Sequence, residues 1–114
     1  MRERKLARLI AAQHIMKEWK GIEFDRVSVD ERGVPYVDGE QLDLTARTRI
    51  TILGMILLDC VGNPHTERDV IDKIKDHPYH REDFCWLKRY LGQGKIGAPL
   101  GEFLELRATT VTAE

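Results

Sequence analysis

The stretch TARTRITILGMILLDCV, residues 45–61, decides the fold. Its apolar side chains recur at three- and four-residue spacing, which places them on one face of a helix. That face consists of Ile50, Leu53, Leu57 and Val61. Further apolar residues widen the face, so the helix needs cover on more than one side. We therefore predict a central core helix that is capped by Thr45 and ended by the Gly-Asn-Pro turn at residues 62–64.

Before this helix, the sequence predicts another helix and then a small sheet. An apolar stripe over residues 2–20 indicates an amphipathic helix, and Gly21 stops it. The apolar residues then fall in short runs, and the pair Asp38-Gly39 is typical of a tight hairpin turn because both residues tolerate positive φ. We predict an antiparallel meander in this region, which ends where the core helix begins.

After the core helix, the sequence predicts two further helices and a hairpin. A capping-box spacing that begins at Thr66 indicates a helix over residues 66–76, and Pro78 separates it from a helix over residues 79–91. The face of the last helix that turns inward carries Phe84, Leu87 and Leu91. Glycines and a proline over residues 92–102 predict a wing hairpin, and the apolar residues from Phe103 onward predict extended chain.

The order of these elements is typical of a winged helix-turn-helix. We predict an α+β fold with an N-terminal amphipathic helix (residues 1–21), followed by a winged-helix domain with a leading meander (residues 22–107). This domain contains a small antiparallel sheet, three helices and the wing hairpin. A flexible tail follows at residues 108–114. A chain of 114 residues with 42% hydrophobic content supports one core.

Three segments carry a resemblance to a known family. VDGEQLDLT at residues 37–45 is similar to a strand–turn–strand that ends in Leu-Thr at the first helix, and GNPHTERDV at residues 62–70 is similar to the turn into the second. LKRYL at residues 87–91 resembles the end of a recognition helix. Together they resemble the DNA-binding output domain of the OmpR/PhoB class of response regulators, over about residues 22–107. The resemblance implies a small transcription regulator that binds double-stranded DNA.

Six basic residues are the DNA contacts that this interpretation predicts: Arg81, Lys88, Arg89, Lys95, Arg47 and Arg49. Arg81 is expected in the major groove, where a guanidinium reads guanine through two hydrogen bonds. The other five are expected at phosphates, with Arg47 and Arg49 acting as clamps on the DNA backbone. The alternative is that all six are ordinary solvated charges on helix surfaces.

The charge is distributed unevenly, although the net charge is only −1. Residues 1–20 carry six basic and two acidic side chains, residues 21–44 carry two basic and seven acidic, and residues 77–95 carry four basic and two acidic. A near-neutral total argues against indiscriminate coating of nucleic acid but permits one specific patch.

Several of these features favour a different function, a non-catalytic interaction module or inhibitor that binds a protein partner. Glu82 and Asp83 place negative charge early in the predicted recognition helix. Leu100 stands in the predicted wing where the family has a basic residue. The acidic hairpin at residues 25–43 adds a surface that resembles neither a basic stripe nor a reactive site.

The sequence offers only weak candidates for a metal site and for a catalytic pair. The potential zinc ligands are Cys60, His65, His77, His80 and Cys85. Their spacing matches no common zinc pattern, so we predict no metal, with buried cysteines and loop histidines instead. Cys85 with His80 or His77 would be the only nucleophile and base, but a thiol inside an apolar helix is usually inert. The glycine pattern at residues 92–97 follows a helix instead of a strand. We predict no enzymatic activity and no cofactor.

The first helix and the cysteines indicate the assembly and the compartment. Cysteines without a secretory leader predict reduced thiols and a cytoplasmic protein. The apolar run of the core helix falls short of the roughly 20 residues that cross a bilayer, so we predict no membrane span. The basic, amphipathic first helix could lie on an anionic membrane, but such a helix more often packs, so we predict no membrane association. The apolar seam of the first helix is Leu6, Leu9, Ile10 and Met16. It is expected to pack on the domain or to pair with a second copy, and a homodimer through residues 6–19 would suit two DNA half-sites.

Overall fold

A computed structural model describes residues 2–62, 81–95 and 97–112. Its α-helices are α1 (Arg2–Lys20), α2 (Leu44–Gly62), α3 (Arg81–Gly92) and α4 (Gly97–Thr112). Its strands are β1 (Val27–Val29), β2 (Pro35–Val37) and β3 (Glu40–Gln41), preceded by a 3-10 turn at Phe24–Arg26. The strands form one antiparallel sheet in the order β1-β2-β3. The predicted α+β class and the predicted meander are confirmed. The helix predicted at residues 66–76 lies outside the described residues.

The turn between β2 and β3 has the geometry that its sequence predicts. Asp38 and Gly39 have φ values of +53° and +83°, as a tight hairpin turn of the Asp-Gly type requires. Arg26 holds the Asp38 side chain, because its Nε lies 3.1 Å from each carboxylate oxygen. The hydrogen bond and the charge of Arg26 lower the pKa of Asp38. The hairpin is therefore fixed at its tip by side-chain electrostatics as well as by backbone shape.

A single carboxylate organises the loop between β1 and β2. Asp30 accepts hydrogen bonds from the backbone N–H groups of Arg32 and Val34, each at 2.9 Å, and from the Tyr36 hydroxyl at 3.3 Å. The bond from Val34, the largest contribution, and that from Arg32 lower the pKa of Asp30. The loop is thus held in one conformation by an ionised aspartate.

Helix α1 lies at the centre of the core. Its fully buried side chains are Ala7, Ile10, Ala11, Ala12, Ile15 and Met16. They pack against α2, β1 and α4, so this helix has neighbours on several sides. The sequence predicts that role for α2, which is buried along Ile50, Leu53 and Leu57 and, among the described elements, contacts α1, α3 and α4. Ile10 and Met16, predicted as part of a dimer seam, are covered by the chain itself and are not available to a second copy.

Two glycines allow Arg8 of α1 to approach its neighbours closely. A Cβ placed on Gly54 of α2 would lie 3.3 Å from Cγ of Arg8. A Cβ on Gly33, in the loop before β2, would lie 2.9 Å from Cδ of the same side chain, and Gly33 also has a φ of +83°. The Arg8 stem therefore crosses both glycines and links the pair of long helices to the sheet.

The predicted wing is wrong, because Gly97–Thr112 forms helix α4. The glycines and the proline suggest a hairpin, but Pro99 lies in the first turn of a helix, where its missing N–H costs no hydrogen bond. Phe103, predicted as extended, is fully buried in the core, and Leu100 packs against the same core three residues earlier. Burial of this helical face outweighs the turn signals. The helix continues to Thr112, so it also includes the start of the predicted tail.

A polar contact joins α4 to α1 beside this apolar packing. Nε2 of His14 lies 2.8 Å from Oε2 of Glu102, and the His14 ring meets Phe24 edge to face at 4.8 Å. Across the described ranges, no helix combines the length and the hydrophobicity that a bilayer span requires.

Candidate nucleic-acid interface

Helix α3 buries the face that its sequence predicts. Leu87 and Leu91 are fully buried, and Tyr90 beside them is 5% exposed. The side chain of Phe84, the third residue predicted to turn inward, lies outside the described part of the chain. The inward orientation is thus confirmed at two of the three positions.

The opposite side of α3 faces solvent. Cys85 and Arg89 are exposed four residues apart, which places them on the same face. Gln93 extends this line into the turn after the helix, where its N–H still bonds to the Arg89 carbonyl at 3.1 Å. Arg89 forms no ion pair with any residue that the structure describes, so its guanidinium faces water.

Aromatic side chains from two helices meet beside this exposed face. The rings of Trp86 and Tyr90 are nearly parallel, with an interplanar angle of 13° and centroids 5.4 Å apart. Trp19, near the end of α1, lies 6.3 Å from Trp86 with a tilt of 54°. We call these three residues the aromatic cluster. Because Trp19 is far from the other two in sequence, the cluster exists only when α1 packs as the structure shows.

Two cations lie over the rings of the aromatic cluster. The guanidinium carbon of Arg49 is 4.3 Å from the centroid of Trp19 and 4.7 Å from that of Trp86. Nζ of Lys20 is 4.9 Å from the Trp19 ring. Such cation–π contacts contribute about 0.5–2 kcal/mol each, depending on how far water is excluded. Arg49 therefore joins α2 to α1 and α3 through the two indoles.

An open cleft of about 180 Å³ lies against the aromatic cluster, and we call it the tryptophan cleft. It is lined by Glu18, Trp19, Trp86, Arg89, Tyr90 and Gln93. At its rim, the ammonium of Lys95 forms an ion pair with the Glu18 carboxylate. The cleft thus combines aromatic walls with an exposed guanidinium, an exposed amide and a carboxylate that is already paired.

The Tyr90 hydroxyl titrates abnormally in this setting. Burial raises its pKa to about 12, and the negative charge of Glu18 adds to the shift because it disfavours a phenolate nearby. Tyr90 is therefore a neutral wall of the cleft at physiological pH, able to donate a hydrogen bond but carrying no charge that would repel an anion.

The structure brings together three of the six residues predicted to contact DNA. Arg89 lines the tryptophan cleft, Lys95 pairs with Glu18 at its rim, and Arg49 lies over two of its rings. Of these, Arg49 and Lys95 already have partners within the chain. Phosphate contact by Lys95 would therefore compete with an existing ion pair.

A fourth predicted contact, Arg47, lies outside this assembly. Arg47 is exposed and lines a separate shallow groove on α2, together with Leu44, Thr48, Thr51 and Ile52. Two residues apart on a helix point roughly 200° apart, so Arg47 and Arg49 face opposite sides of α2. Arg81 and Lys88 belong to the α3 backbone, but their side chains lie outside the described part of the chain.

Most of the cleft was not predicted from the sequence. Trp86 and Tyr90 flank Arg89 in the segment WLKRY, and such interleaving of aromatic and basic residues is typical of surfaces that stack nucleic-acid bases. This local pattern could have predicted the α3 side of the cleft. The contribution of Glu18 and Trp19 could not have been predicted in the same way, because it depends on how α1 crosses the other helices.

The cysteines differ from each other in exposure. Cys60 is buried, as expected, but the prediction that Cys85 is buried is wrong. Cys85 lies on the solvent side of α3, because Leu87 and Leu91 form the side of the helix that faces the core. Within the described ranges, no three His, Cys, Asp or Glu residues are grouped so that they could hold a metal ion. His65, His77 and His80 lie outside those ranges.

Comparison of the chain with models of protein families, with curated proteins and with solved structures found no match.

Proposed function

We propose that this chain is a small DNA-binding regulator that approaches double-stranded DNA with the exposed face of α3. The observation that supports it is the convergence of Arg49, Arg89 and Lys95 on one surface, from three separate segments of the chain. In this proposal α2 and α3 are the first and last helices of a helix-turn-helix. No wing contributes, because α4 occupies that part of the sequence.

The charges around the tryptophan cleft suit a polyanion. Arg89 is exposed towards solvent, and Lys20 is exposed at the end of α1. Lysines near a helix C-terminus are favoured there by the helix dipole, so this arrangement places positive charge on the surface at little cost. Neutralisation of DNA phosphates by such groups releases counterions, which makes affinity fall with salt.

The salt dependence of duplex binding tests the proposal directly. About three phosphate contacts give a slope near −2.7 in a plot of log affinity against log salt, so affinity should fall roughly 40-fold between 50 and 200 mM salt. Fluorescence anisotropy of a labelled duplex would measure it. Absent binding, or binding that is insensitive to salt, would contradict the proposal.

A pair of arginine variants tests the surface. Arg89→Ala should weaken duplex binding and reduce the salt slope by about one, because one phosphate contact is lost. Arg32→Ala is the matched control, since Arg32 is equally exposed but lies in the loop before β2. Equal losses in both variants would show that the chain binds DNA through its overall charge, without a defined surface.

A protein-interaction module is the second candidate function, and one observation favours it. Leu44 is 74% exposed at the start of α2, where it lines the shallow groove with Arg47 and Ile52. A single exposed leucine is ordinary on a protein surface, so it is the groove beside Leu44 that makes this a candidate contact site. A folded chain that binds no duplex even at 50 mM salt would favour this candidate over the first.

A further inference from the structure

We propose that the tryptophan cleft is a binding site for one unpaired nucleotide, whose base packs against the aromatic walls while its phosphate meets Arg89. The inference deepens the proposed function and rests on it for the assignment of nucleic acid as the source of the nucleotide. The shared chemistry is a planar heterocycle that carries a phosphate. A free mononucleotide offers the same chemistry as an unpaired position in a strand.

The size and lining of the cleft suit one flat ring system. Its volume of about 180 Å³ equals that of roughly six water molecules, which is room for a single flat ring system. Among the described residues that line it, Trp19, Trp86 and Tyr90 are aromatic. Tyr90 and Arg49 already lie over the Trp86 ring, so a base in the cleft would contact these rings edge to face, a favourable geometry for aromatic pairs.

The polar side chains of the cleft suit a ligand that carries a phosphate. Arg89 and Gln93 are exposed on one side of the cleft, so a guanidinium and an amide lie where the phosphate and the edge of a base would emerge. Glu18 is a carboxylate, but its pairing with Lys95 offsets its charge. A ligand that joins a ring to an anion satisfies the aromatic walls and the cationic side together.

The position of Arg49 argues against a cationic ligand. Aromatic cages for ammonium groups hold the cation over ring faces. Here the guanidinium of Arg49 already lies over both Trp19 and Trp86, so the chain itself supplies that cation. A second positive charge would be repelled, whereas an electron-rich ring with a phosphate would not.

Base pairing decides which form of nucleic acid fits. In a duplex, each base is covered on both faces by its neighbours, so its ring cannot reach the walls of the cleft. A base becomes available only in a single strand, in a loop or as a free nucleotide. We therefore expect single-stranded DNA to fill the cleft and a duplex of the same sequence to leave it empty, although the duplex still meets the exposed face of α3.

The intrinsic fluorescence of the chain tests the site. The chain has two tryptophans, and both line the cleft. A base bound there should therefore quench most of the tryptophan fluorescence. The probes are a short single-stranded oligonucleotide, its duplex and deoxyadenosine monophosphate. Saturable quenching by the single strand alone supports a site for unpaired positions in a strand. Quenching by the mononucleotide supports the same site with a free nucleotide as its source.

The outcomes separate this inference from the proposed function. Salt-dependent duplex binding without quenching by either unpaired probe would overturn the nucleotide site and leave the DNA-binding proposal in place. Quenching by the mononucleotide, with no binding of either oligonucleotide, would keep the site and overturn DNA binding. Absence of all three signals would overturn both.

Variants of exposed residues keep the test independent of folding. Arg89→Ala and Gln93→Ala change solvent-facing side chains, and each should reduce the affinity of the single strand several-fold. Trp86→Phe should retain binding, and Trp86→Leu should lose it, with circular dichroism as the check on folding. Arg32→Ala is again the control. Unchanged quenching in both Arg89→Ala and Gln93→Ala would contradict the assignment of the cleft.

Discussion

Tyr90 is the single residue whose ionisation reports on the cleft. Its pKa of about 12 lies above the value of about 10 in an unfolded chain, so folding favours the protonated phenol. The resulting stabilisation is complete below pH 10 and is lost as the pH rises towards 12. In an absorbance titration of tyrosinate, one of the three tyrosines should therefore ionise last, and the free energy of unfolding should fall over the same range.

The variant Tyr90→Phe supplies the control for that titration. It should remove the last ionisation step and flatten the decrease in stability above pH 10. Ionisation of every tyrosine together near pH 10 in the unmodified chain would show that Tyr90 is not buried in the cleft wall.

Gly33 is a residue whose substitution should lower the free energy of unfolding, because it combines a positive φ with a close neighbour. Gly33→Ala places a Cβ 2.9 Å from Arg8 and strains the backbone at φ +83°. The expected loss is roughly 1–3 kcal/mol in the free energy of unfolding, measured by urea denaturation.

Gly101→Ala is the matched control, since Gly101 lies in α4 with open space around it. It should stabilise the chain by about 0.5–1 kcal/mol, because alanine has the higher helix propensity. A Gly33→Ala variant as stable as the unmodified chain would mean that Arg8 does not cross this glycine.

At the scale of elements, the N-terminus of α2 differs from the one that the local sequence predicts. The sequence predicts Thr45 as the cap, but the helix begins at Leu44, and Oδ1 of Asp43 accepts the hydrogen bond from the Ala46 N–H at 2.9 Å. Asp43→Ala should therefore cost about 1 kcal/mol in thermal or chemical denaturation. Thr45→Ala should leave the stability nearly unchanged. A larger loss of stability in Thr45→Ala than in Asp43→Ala would show that Thr45 is the cap.

The elements differ in how far sequence could predict them. The hairpin at Asp38-Gly39 and the inward face of α3 depend on neighbours within a few residues, so their patterns predict them correctly. Helix α4 was missed because its glycines and Pro99 are turn signals when taken alone. What outweighs them is the burial of Phe103 against a core built largely from α1, and no local pattern reports such a contact.

At the scale of the whole molecule, the candidate site was partly predictable. Arg49, Arg89 and Lys95 were three of the six basic residues predicted from sequence as DNA contacts, and these three adjoin the tryptophan cleft. Trp19 was expected only to anchor the end of α1. Its place in the cleft results from the crossing of α1 with α2 and α3, which depends on long-range packing that a single sequence does not specify.

The electrostatic balance of the molecule gives a further prediction. Glu18→Gln removes the carboxylate that pairs with Lys95 and so releases a cation at the rim of the tryptophan cleft. The affinity for single-stranded DNA should rise several-fold at 50 mM salt, and the gain should shrink at 200 mM because salt screens it. Anisotropy titrations at both salt concentrations would measure the effect.

Glu23→Gln is the control for this prediction. It releases Lys17 from an exposed ion pair of 3.1 Å and changes the net charge by the same amount, but outside the cleft. If both variants gained affinity equally, overall charge and not the local ion pair would be responsible.

The central place of α1 also constrains how the molecule is made. His14 and its partner Glu102 are 88 residues apart, and the apolar side of α1 is covered in part by α4. During translation, α1 and α2 leave the ribosome before α4 exists, so the part of the α1 apolar stripe that α4 covers stays exposed until then. We therefore expect chains that stop before residue 97 to aggregate more readily than the chain that includes α4.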